Sequence, residues 1–552
     1  MAYNLLSEPW LPVTRLRSGL AHIAPHQLTE NLDGDPVVSL AFPRPDLNAA
    51  VLEWLIGLVQ TVYWDELKNN TAWVTLWESP PPPEDLHRRM EPFSYAFELL
   101  AEGDPAFMQD RNPEQLDKSY DVDMLFFEVA GQKAAWFVKP NESPVLCPAC
   151  AAAALHMLQA YAYSGGAGVR TGLRGGGPLS TIIMRDNLWE TTWANVLPAG
   201  KFGKACDPNA PEAFGVFPWL APTRVSSEGT KPVTTDEVHP LHLYWAMPRR
   251  MRLRYEEGDQ PCAMCASTQG PRITGYAYRH HGNNYEGEWD HPLTPLRHEP
   301  KDGTRITIKG KSFSGYRDWL GLVFTERVKI KPKKKGGEPV KVTVRTPAPV
   351  VEQALHSQRR GDMLGTELRL RASGFSMDQM KPLAFTDEVM PVVLPKDADL
   401  LEEQHVLATR LINAAEFTRQ ALYSAARTAL LDERKDAKGT NSMLTEVDAL
   451  FWSKTQPVFD DAMRHGLDAL EQGYDTEKAR RVYLRRLQAV TEALFRDMVQ
   501  SAALDDTQME RHARAWRDLQ ARIRWPKAQV WNKLDIDPKA QEEEAQPATG
   551  EA

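Results

Sequence analysis

Two pairs of cysteines carry the strongest chemical signal in the chain: Cys147-Pro148-Ala149-Cys150 and Cys262-Ala263-Met264-Cys265. A C-x-x-C turn lets two thiolates converge on one ion, and two such turns supply the four sulfurs that zinc prefers in a tetrahedral cage. Four thiolates leave no open coordination position, so the expected role is structural. The gap between the pairs is too long for a compact zinc ribbon, so the metal is expected to tie together two distant parts of the fold. The fifth cysteine, Cys206, stands alone. Paired thiols in this spacing fit a reducing compartment and a metal better than disulfides. The alternative is four buried cysteines near one another by coincidence.

A second segment, Ser164 to Pro178, reads Ser-Gly-Gly-Ala-Gly-Val-Arg-Thr-Gly-Leu-Arg-Gly-Gly-Gly-Pro. Glycine this dense permits positive φ and close approach of backbone to a ligand. The segment lacks the G-x-G-x-x-G of a dinucleotide site after a strand, and the Gly-Lys-Ser/Thr ending of a phosphate loop. Arg170 and Arg174 lie among the glycines, a combination suited to backbone pressed into a nucleic-acid groove with arginines for phosphates. An irregular connector is the plainer alternative.

These residues must be held by a substantial body. At 552 residues the chain is long enough for about two to four domains. Its composition, 42% hydrophobic and 25% charged, is that of a globular protein. The net charge of -9 argues against wrapping nucleic acid with the whole surface but leaves room for a local basic site. No signal peptide is evident at the N-terminus. The stretch Leu47 to Trp64 contains Asn48, Glu53 and Gln60 and reads as a buried helix rather than a membrane span. A cytoplasmic protein is expected.

The expected fold class is α+β. Residues 1–395 read as a mixed α/β domain holding the zinc site, with a helix from Asn48 to Tyr63 and strands at Arg305–Lys309 and Val342–Val344. Pro80 to Pro83 reads as a loop, and Lys329 to Lys341 as a basic, flexible turn. From residue 396 to 530, apolar positions with a period near 3.6 and breaks at 435–442, 472–474 and 504–506 delimit four helices, hence a four-helix bundle. Arg480, Arg481, Arg485 and Arg486 cluster broadly on one helical side there. The acidic, Ala/Pro-rich residues 531–552 read as a disordered tail.

Several segments, in order, resemble one family. They are Asn4-Leu5-Leu6-Ser7-Glu8-Pro9-Trp10-Leu11-Pro12-Val13, then Pro105-Ala106-Phe107-Met108-Gln109, and Trp136-Phe137-Val138 before the first C-x-x-C. Gly172-Leu173-Arg174-Gly175-Gly176-Gly177-Pro178, the second C-x-x-C, Thr274-Gly275-Tyr276 and the helical C-terminus follow. Each is weak alone, but the ordered set spans nearly the whole chain and is similar to the large subunit of the type I-E CRISPR surveillance complex, Cascade (the CasA family). That resemblance implies a non-enzymatic subunit that reads the protospacer-adjacent motif (PAM) of double-stranded DNA. It also implies that the subunit helps open the duplex for a guide CRISPR RNA, works with the other Cascade subunits, and recruits a separate helicase-nuclease.

The resemblance also implies roles residue by residue. Gly165, Gly166, Ala167 and Gly168 fall on the family's glycine loop, which lays backbone against the minor-groove edge of the PAM; Ala167 departs from the family's glycine run. Gln379, flanked by Asp378 and Met380, falls on a wedge that unstacks the first target pair, with Met377 as a further apolar neighbour. A solvated turn is the alternative for Gln379. The family's groove-reaching lysine has no counterpart in Tyr278-Arg279-His280-His281, so Arg279 or His280 is expected to substitute. Trp136, Phe137 and Lys139 fall on the loop that touches the guide RNA and a neighbouring subunit; core packing of these aromatics is the alternative. In the family the C-terminal bundle faces the displaced strand, for which the four arginines are candidates.

Two other readings stand beside this one. A metal-dependent nuclease or hydrolase would use His280-His281 or Asp290-His291, but the chain has no H-E-x-x-H and no nucleophile elbow. A zinc-stabilised, structural RNA-binding subunit of another ribonucleoprotein is the second, and indifference to the PAM would distinguish it.

Overall fold

A computed structural model describes residues 2–101, 105–130, 144–202, 215–227, 229–330, 341–361, 368–378, 381–430, 441–500 and 506–538. Backbone contacts divide the chain into two compact units, Met1–Ser312 with Thr325–Val389, and Phe313–Phe324 with Met390–Ala552. The fold is mixed helix and strand with a helical C-terminal region, as the sequence leads one to expect.

The first unit is organised around the helix Pro45–Val62. Pro45 at the first helical position and Asp46 in the first turn start it, as helix N-termini favour. From Ala49 to Thr61 every residue is buried, as expected for a helix apolar on all sides. Its few polar residues are therefore paired. Gln60 Nε2 donates to the Leu197 carbonyl at 2.9 Å and Gln60 Oε1 accepts from the Leu197 amide at 2.7 Å. Glu53 takes the Arg174 guanidinium at 2.7 Å and the Tyr161 hydroxyl at 2.5 Å, with the Ser180 hydroxyl as a third donor. Burial opposes the charge on Glu53, but Arg174 and these hydroxyls outweigh it and hold the carboxyl below its ordinary pKa.

The strands of this unit form four small antiparallel sheets. Leu11–Arg15 pairs with Gly19–Ile23 and Val37–Leu40. Arg272–Arg279 is the middle strand between Lys118–Asp121 and Arg250–Glu256. Leu368–Asp378 lies between Ser180–Met184 and Lys381–Val392. The fourth sheet runs Glu326–Ile330, Lys341–Thr346, Leu296–His298, Arg305–Thr307. The strands expected near 305 and 342 are both present, and the expected helix at 48–63 is the Pro45–Val62 helix. Of the basic stretch Lys329 to Lys341, residues 331–340 lie outside the described residues.

In the second unit, Leu401–Leu430 packs against Asn441–Glu471, Glu477–Gln500 and Asp506–Ile523. A Cβ on Gly466 would stand 2.3 Å from Leu407 Cδ2, so any larger residue where the first two helices cross would require the Leu407 side chain to move. Residues Phe313–Phe324, earlier in the chain, belong to this unit. Tyr316 stacks on Phe459 with centroids 4.5 Å apart and its hydroxyl lies 2.9 Å from Thr455 Oγ1. The expected tail from 531 begins later than its composition suggests. Trp531, Leu534 and Ile536 are buried, because the short helix Gln529–Leu534 packs on Leu401–Leu430. Residues 539–552 lie outside the described residues. No helix among the described residues is long and apolar enough to cross a membrane.

Two stability predictions follow from the core around Glu53. Glu53→Ala strands a buried guanidinium and should cost about 3–5 kcal/mol; a joint Glu53→Leu, Arg174→Met change should recover most of it in denaturant unfolding. His156 is wholly enclosed, and burial lowers its pKa from 6.5 to about 4. The folded state therefore favours the neutral ring. Stability is complete above pH about 6.5 and should fall by about 3 kcal/mol as the pH drops to 4. His156→Met should flatten that part of the pH profile.

Candidate metal centre and nucleic-acid interface

The helix Pro148–Ala160 begins at Cys147, which acts as its N-cap, and Pro148 occupies the first helical position. The Cys150 amide points at Cys147 Sγ from 3.5 Å. The second turn is closed by the Ala266 amide on the Cys262 carbonyl (2.9 Å) and the Cys262 amide on the Ser267 carbonyl (2.8 Å). Ala266 takes a left-handed φ of 59° to make the reversal. The Ala263 amide bonds the Val145 carbonyl at 2.9 Å, and Leu146 and Ile273 exchange both backbone bonds, which brings the two turns together.

The four Sγ atoms lie within 4.8 Å of one another. The Cys147 and Cys265 sulfurs are 3.6 Å apart, close to the roughly 3.8 Å edge of a tetrahedral zinc–sulfur cage and far beyond the disulfide length of about 2.05 Å. Contact with Cys147 and Cys150 lowers the Cys265 pKa to about 7, and contact with the same two lowers Cys262. The same contacts, with burial, push the Cys150 thiol up, and Cys147 is raised as well, so four sulfurs this close cannot all ionise unaided; a soft dication at their centre would allow it. The four cysteines could hold a metal, as their spacing implied.

From this cluster two arms run to a second site. One is the helix Pro148–Ala160, about 20 Å long, which leads into the glycine segment. The other is the strand Arg272–Arg279, about 26 Å long, which ends at His280 and His281. The arms meet again where the His281 amide donates to the Gly168 carbonyl at 2.7 Å. Gly166 and Gly168 have φ of 114° and 76°. A Cβ on Gly168 would stand 2.7 Å from the His281 ring, so both conformation and space require glycine there. His281 itself adopts φ 65°, and its Nδ1 lies 3.1 Å from the Ser226 carbonyl. Gly165, Gly166 and Ala167 are exposed.

The arginines of the glycine segment serve the fold. Arg170 bonds the Ser226 hydroxyl and carbonyl at 2.7 and 2.8 Å. Arg174 is buried against Glu53, Ser180 and Thr294 and is withdrawn from phosphates. The far end of the segment carries the hairpin of Leu368–Asp378 and Lys381–Val392. Gly177, at φ 62°, leaves room for Met377 and the Phe375 carbonyl, each 2.7 Å from where a Cβ would be. Gly374 and Gly310 pack backbone to backbone at the same crossing. Gln379 and Met380, which connect the strands, lie outside the described residues, as do Trp136, Phe137 and Lys139. Asp378 is bonded by Lys311 at 2.9 Å, which holds its carboxyl below the ordinary pKa.

Arg279 is half-exposed, donates to the Gln115 carbonyl at 2.7 Å and lies 4.0 Å from Asp117. His280 Nε2 meets the ammonium of Lys118; burial first, then Lys118, lowers its pKa. Lys118 was not among the expected residues. It is distant in sequence, and only the pairing of Lys118 with Tyr278 across the sheet brings it here.

In the helical unit the arginines separate. Arg480 is removed from the candidates: it is buried and spent on the Leu534 and Asp535 carbonyls. Arg481 bonds Glu477 and the Asp537 carbonyl, and Arg486 bonds Asp461 at 2.7 Å. Arg485 is exposed. The histidines of the nuclease reading do not assemble. Asp290 pairs with Arg305, and His291 is enclosed, with burial pushing its pKa far down. Among the described residues, the four cysteines are the only group of three or more potential metal ligands.

A family model described as "CRISPR-associated protein Cse1" matches residues 4–518. The chain belongs to the Cse1 family. Solved structures of the family share its fold across almost the entire length. Cse1 from Thermobifida fusca aligns with a TM-score of 0.67 at 17% identity, covering 97% of this chain and 98% of that one. Cse1 from Acidimicrobium ferrooxidans gives 0.66 at 17% identity, covering 98% and 99%. A chain of a CRISPR RNA-guided surveillance complex gives 0.59 at 16% identity, covering 94% and 99%. The family expected from the ordered motifs is thus the one found, and the large subunit of the type I-E Cascade is where it belongs.

The cluster makes a direct prediction. In the native protein the four thiols should react slowly with a disulfide reagent until a strong chelator is added, after which all four should titrate; equal reactivity before and after chelation would rule out a bound metal.

Proposed function

We propose that the protein is the non-catalytic PAM-reading subunit of an RNA-guided CRISPR surveillance complex. The single observation that carries this reading is the junction of the glycine loop with the end of the Arg272–Arg279 strand through the Gly168–His281 bond. The junction leaves Gly165, Gly166 and Ala167 exposed next to the end of that strand, on a scaffold of the Cse1 family. Backbone without side chains can approach the floor of a minor groove, whose pattern of acceptors is degenerate; tolerance of several PAMs is expected. The same glycine segment supports the hairpin whose connecting residues include Gln379. Inserted beneath the PAM, Gln379 would unstack the first target pair at a cost of a few kcal/mol, offset by PAM contacts and by the first guide–target pairs.

In this reading Zn2+ in the four-cysteine site is structural. Cys147, Cys150, Cys262 and Cys265 hold it, and its chemistry is to cross-link the two arms. Trp136, Phe137 and Lys139 contact the guide RNA or a neighbouring subunit, Arg481, Arg485 and Arg486 guide the displaced strand, and a separate helicase-nuclease is recruited after the target opens. The work is cytoplasmic. The aligned chain of an RNA-guided surveillance complex supports guide RNA and partner subunits as its company.

The test reconstitutes the complex with its other subunits and guide RNA. Duplex binding and strand opening are measured with matched and PAM-scrambled DNA at one salt concentration. Addition of this chain should tighten binding of matched DNA at least tenfold and leave scrambled DNA little changed. Gly168→Ala should erase that preference, and Gln379→Ala should leave initial binding intact but slow opening. Binding indifferent to the PAM and to this chain would favour a guide-RNA scaffold instead.

A further inference from the structure

In the helical unit a cleft of about 270 Å³ lies between the helices Asn441–Glu471 and Glu477–Gln500. Val458, Ala462, Ala479 and Val482 supply its apolar lining, and Val482 is 41% exposed. The acids that line it are engaged: Asp461 accepts from Arg486 at 2.7 Å and Asp475 from Arg480 at 3.1 Å. The cations exceed that pairing. Lys478, which lines the cleft, and Arg485 are exposed, and neither has a carboxylate partner among the described residues. Helix positions three and four apart are neighbours. Lys478, Arg481 and Arg485 therefore form one stripe beside the cleft-lining Val482 and Arg486. The described chain returns to this stripe. Arg480 donates to the Leu534 and Asp535 carbonyls, and Arg481 Nη2 donates to the Asp537 carbonyl at 3.0 Å. The chain thus reaches Pro538 with an unpaired cation about one helical turn away on either side. Residues 539–552 then read Lys-Ala-Gln-Glu-Glu-Glu-Ala-Gln-Pro-Ala-Thr-Gly-Glu-Ala, four carboxylates against a single lysine. The family match stops at residue 518, ahead of this stretch.

We propose that this cleft and its cationic border are the docking surface of the chain's own acidic segment 539–552: Glu542, Glu543 and Glu544 pair with the Lys478–Arg485 stripe, and the small apolar residues Ala545, Pro547 and Ala548 cover the cleft at Val482. Reach is ample. Fourteen residues extend to about 45 Å, whereas Lys478 and Arg485 stand about 10 Å apart along their helix. Exposed ion pairs are individually weak, but a short tether gives an effective concentration on the order of millimolar, so weak contacts suffice. The order of the segment, acidic first and small apolar next, follows the order of the surface, cations nearest Asp537 and the apolar cleft beyond. Arg481 and Arg485 are also the residues assigned above to the displaced strand. The docking does not rest on that assignment; if both hold, a phosphate chain must displace the acidic segment to reach these arginines.

The experiment compares the full chain with one ending at Pro538, using a labelled synthetic peptide of residues 539–552 and fluorescence anisotropy at low salt. The peptide should bind the shortened chain and bind the full chain at least tenfold more weakly, because the tethered copy holds the surface. In the shortened chain, Lys478→Glu with Arg485→Glu should weaken peptide binding at least tenfold, and Val482→Asp severalfold. A peptide carrying lysine in place of Glu542, Glu543 and Glu544 should bind the charge-reversed chain and not its parent. The substituted side chains are exposed, so melting temperatures should be unchanged. In the intact chain, a photo-crosslinker placed at Ala545 should mark the Glu477–Gln500 helix of the same molecule. No binding to the shortened chain, equal binding to both chains, or indifference to charge reversal would overturn the proposal. Crosslinks only between molecules would make a second copy the occupant and overturn it as well. So would a shortened chain that ignores the peptide but binds an oligothymidylate through Lys478 and Arg485, which would assign the surface to a nucleic-acid strand.

Discussion

Glu53 and Arg174 form an ion pair sealed inside the first unit, and four separate elements converge on it. Glu53 belongs to the central helix, Tyr161 follows the cysteine-capped helix, Ser180 opens a sheet strand, and Arg174 lies in the glycine segment. A buried pair contributes little net stability over apolar residues of the same shape, but removal of one partner is costly. Its effect here is positional. The glycine segment has few side chains with which to pack, so the Arg174 guanidinium driven into the core, with Arg170 on Ser226, anchors it. Everything that depends on the glycine loop depends first on that anchor.

The sulfur cluster gives a second fixed point at the opposite end of the same two arms. Between Cys147 and the glycine loop there is one helix, and between Cys265 and His281 there is one strand and its lead-in. Cross-bridges at Leu146–Ile273 and Gly168–His281 close the pair at both ends. Such a frame keeps an exposed, glycine-rich rim in one shape without side-chain packing at the rim itself. The long sequence gap between the cysteine pairs, unsuited to a compact zinc ribbon, is what this frame requires.

Much of this was legible in the residues. The cysteine spacing led to the four-sulfur cluster, helical periodicity led to the helices of the C-terminal unit, and the ordered motifs led to the family. What escaped had physical reasons. Arg174 looked like a phosphate ligand because local composition cannot reveal that Glu53, far away in the chain, is waiting in the core. Arg480 looked like part of a surface cluster because helical phase alone cannot show that the chain returns after Leu534 to cover it. Lys118 was invisible because strand register, which pairs it with Tyr278, is a tertiary property. Residues 313–324 read as part of the first domain because their aromatic partner, Phe459, lies far along the chain.

The crossing of Gly177, Gly310 and Gly374 bears on how the hairpin behaves as a mechanical part. At each of these positions a single added carbon would collide with neighbouring atoms, so the hairpin is gripped by backbone at Gly374 and Phe375, near its free end rather than at its root. Beyond these two residues Met377 still packs on Gly177 and Asp378 is bonded by Lys311. A strand held this closely bends little where it is held, and load on it is passed to the support. Force on the hairpin near Asp378 would therefore be borne by the glycine segment and, through Arg174, by the core.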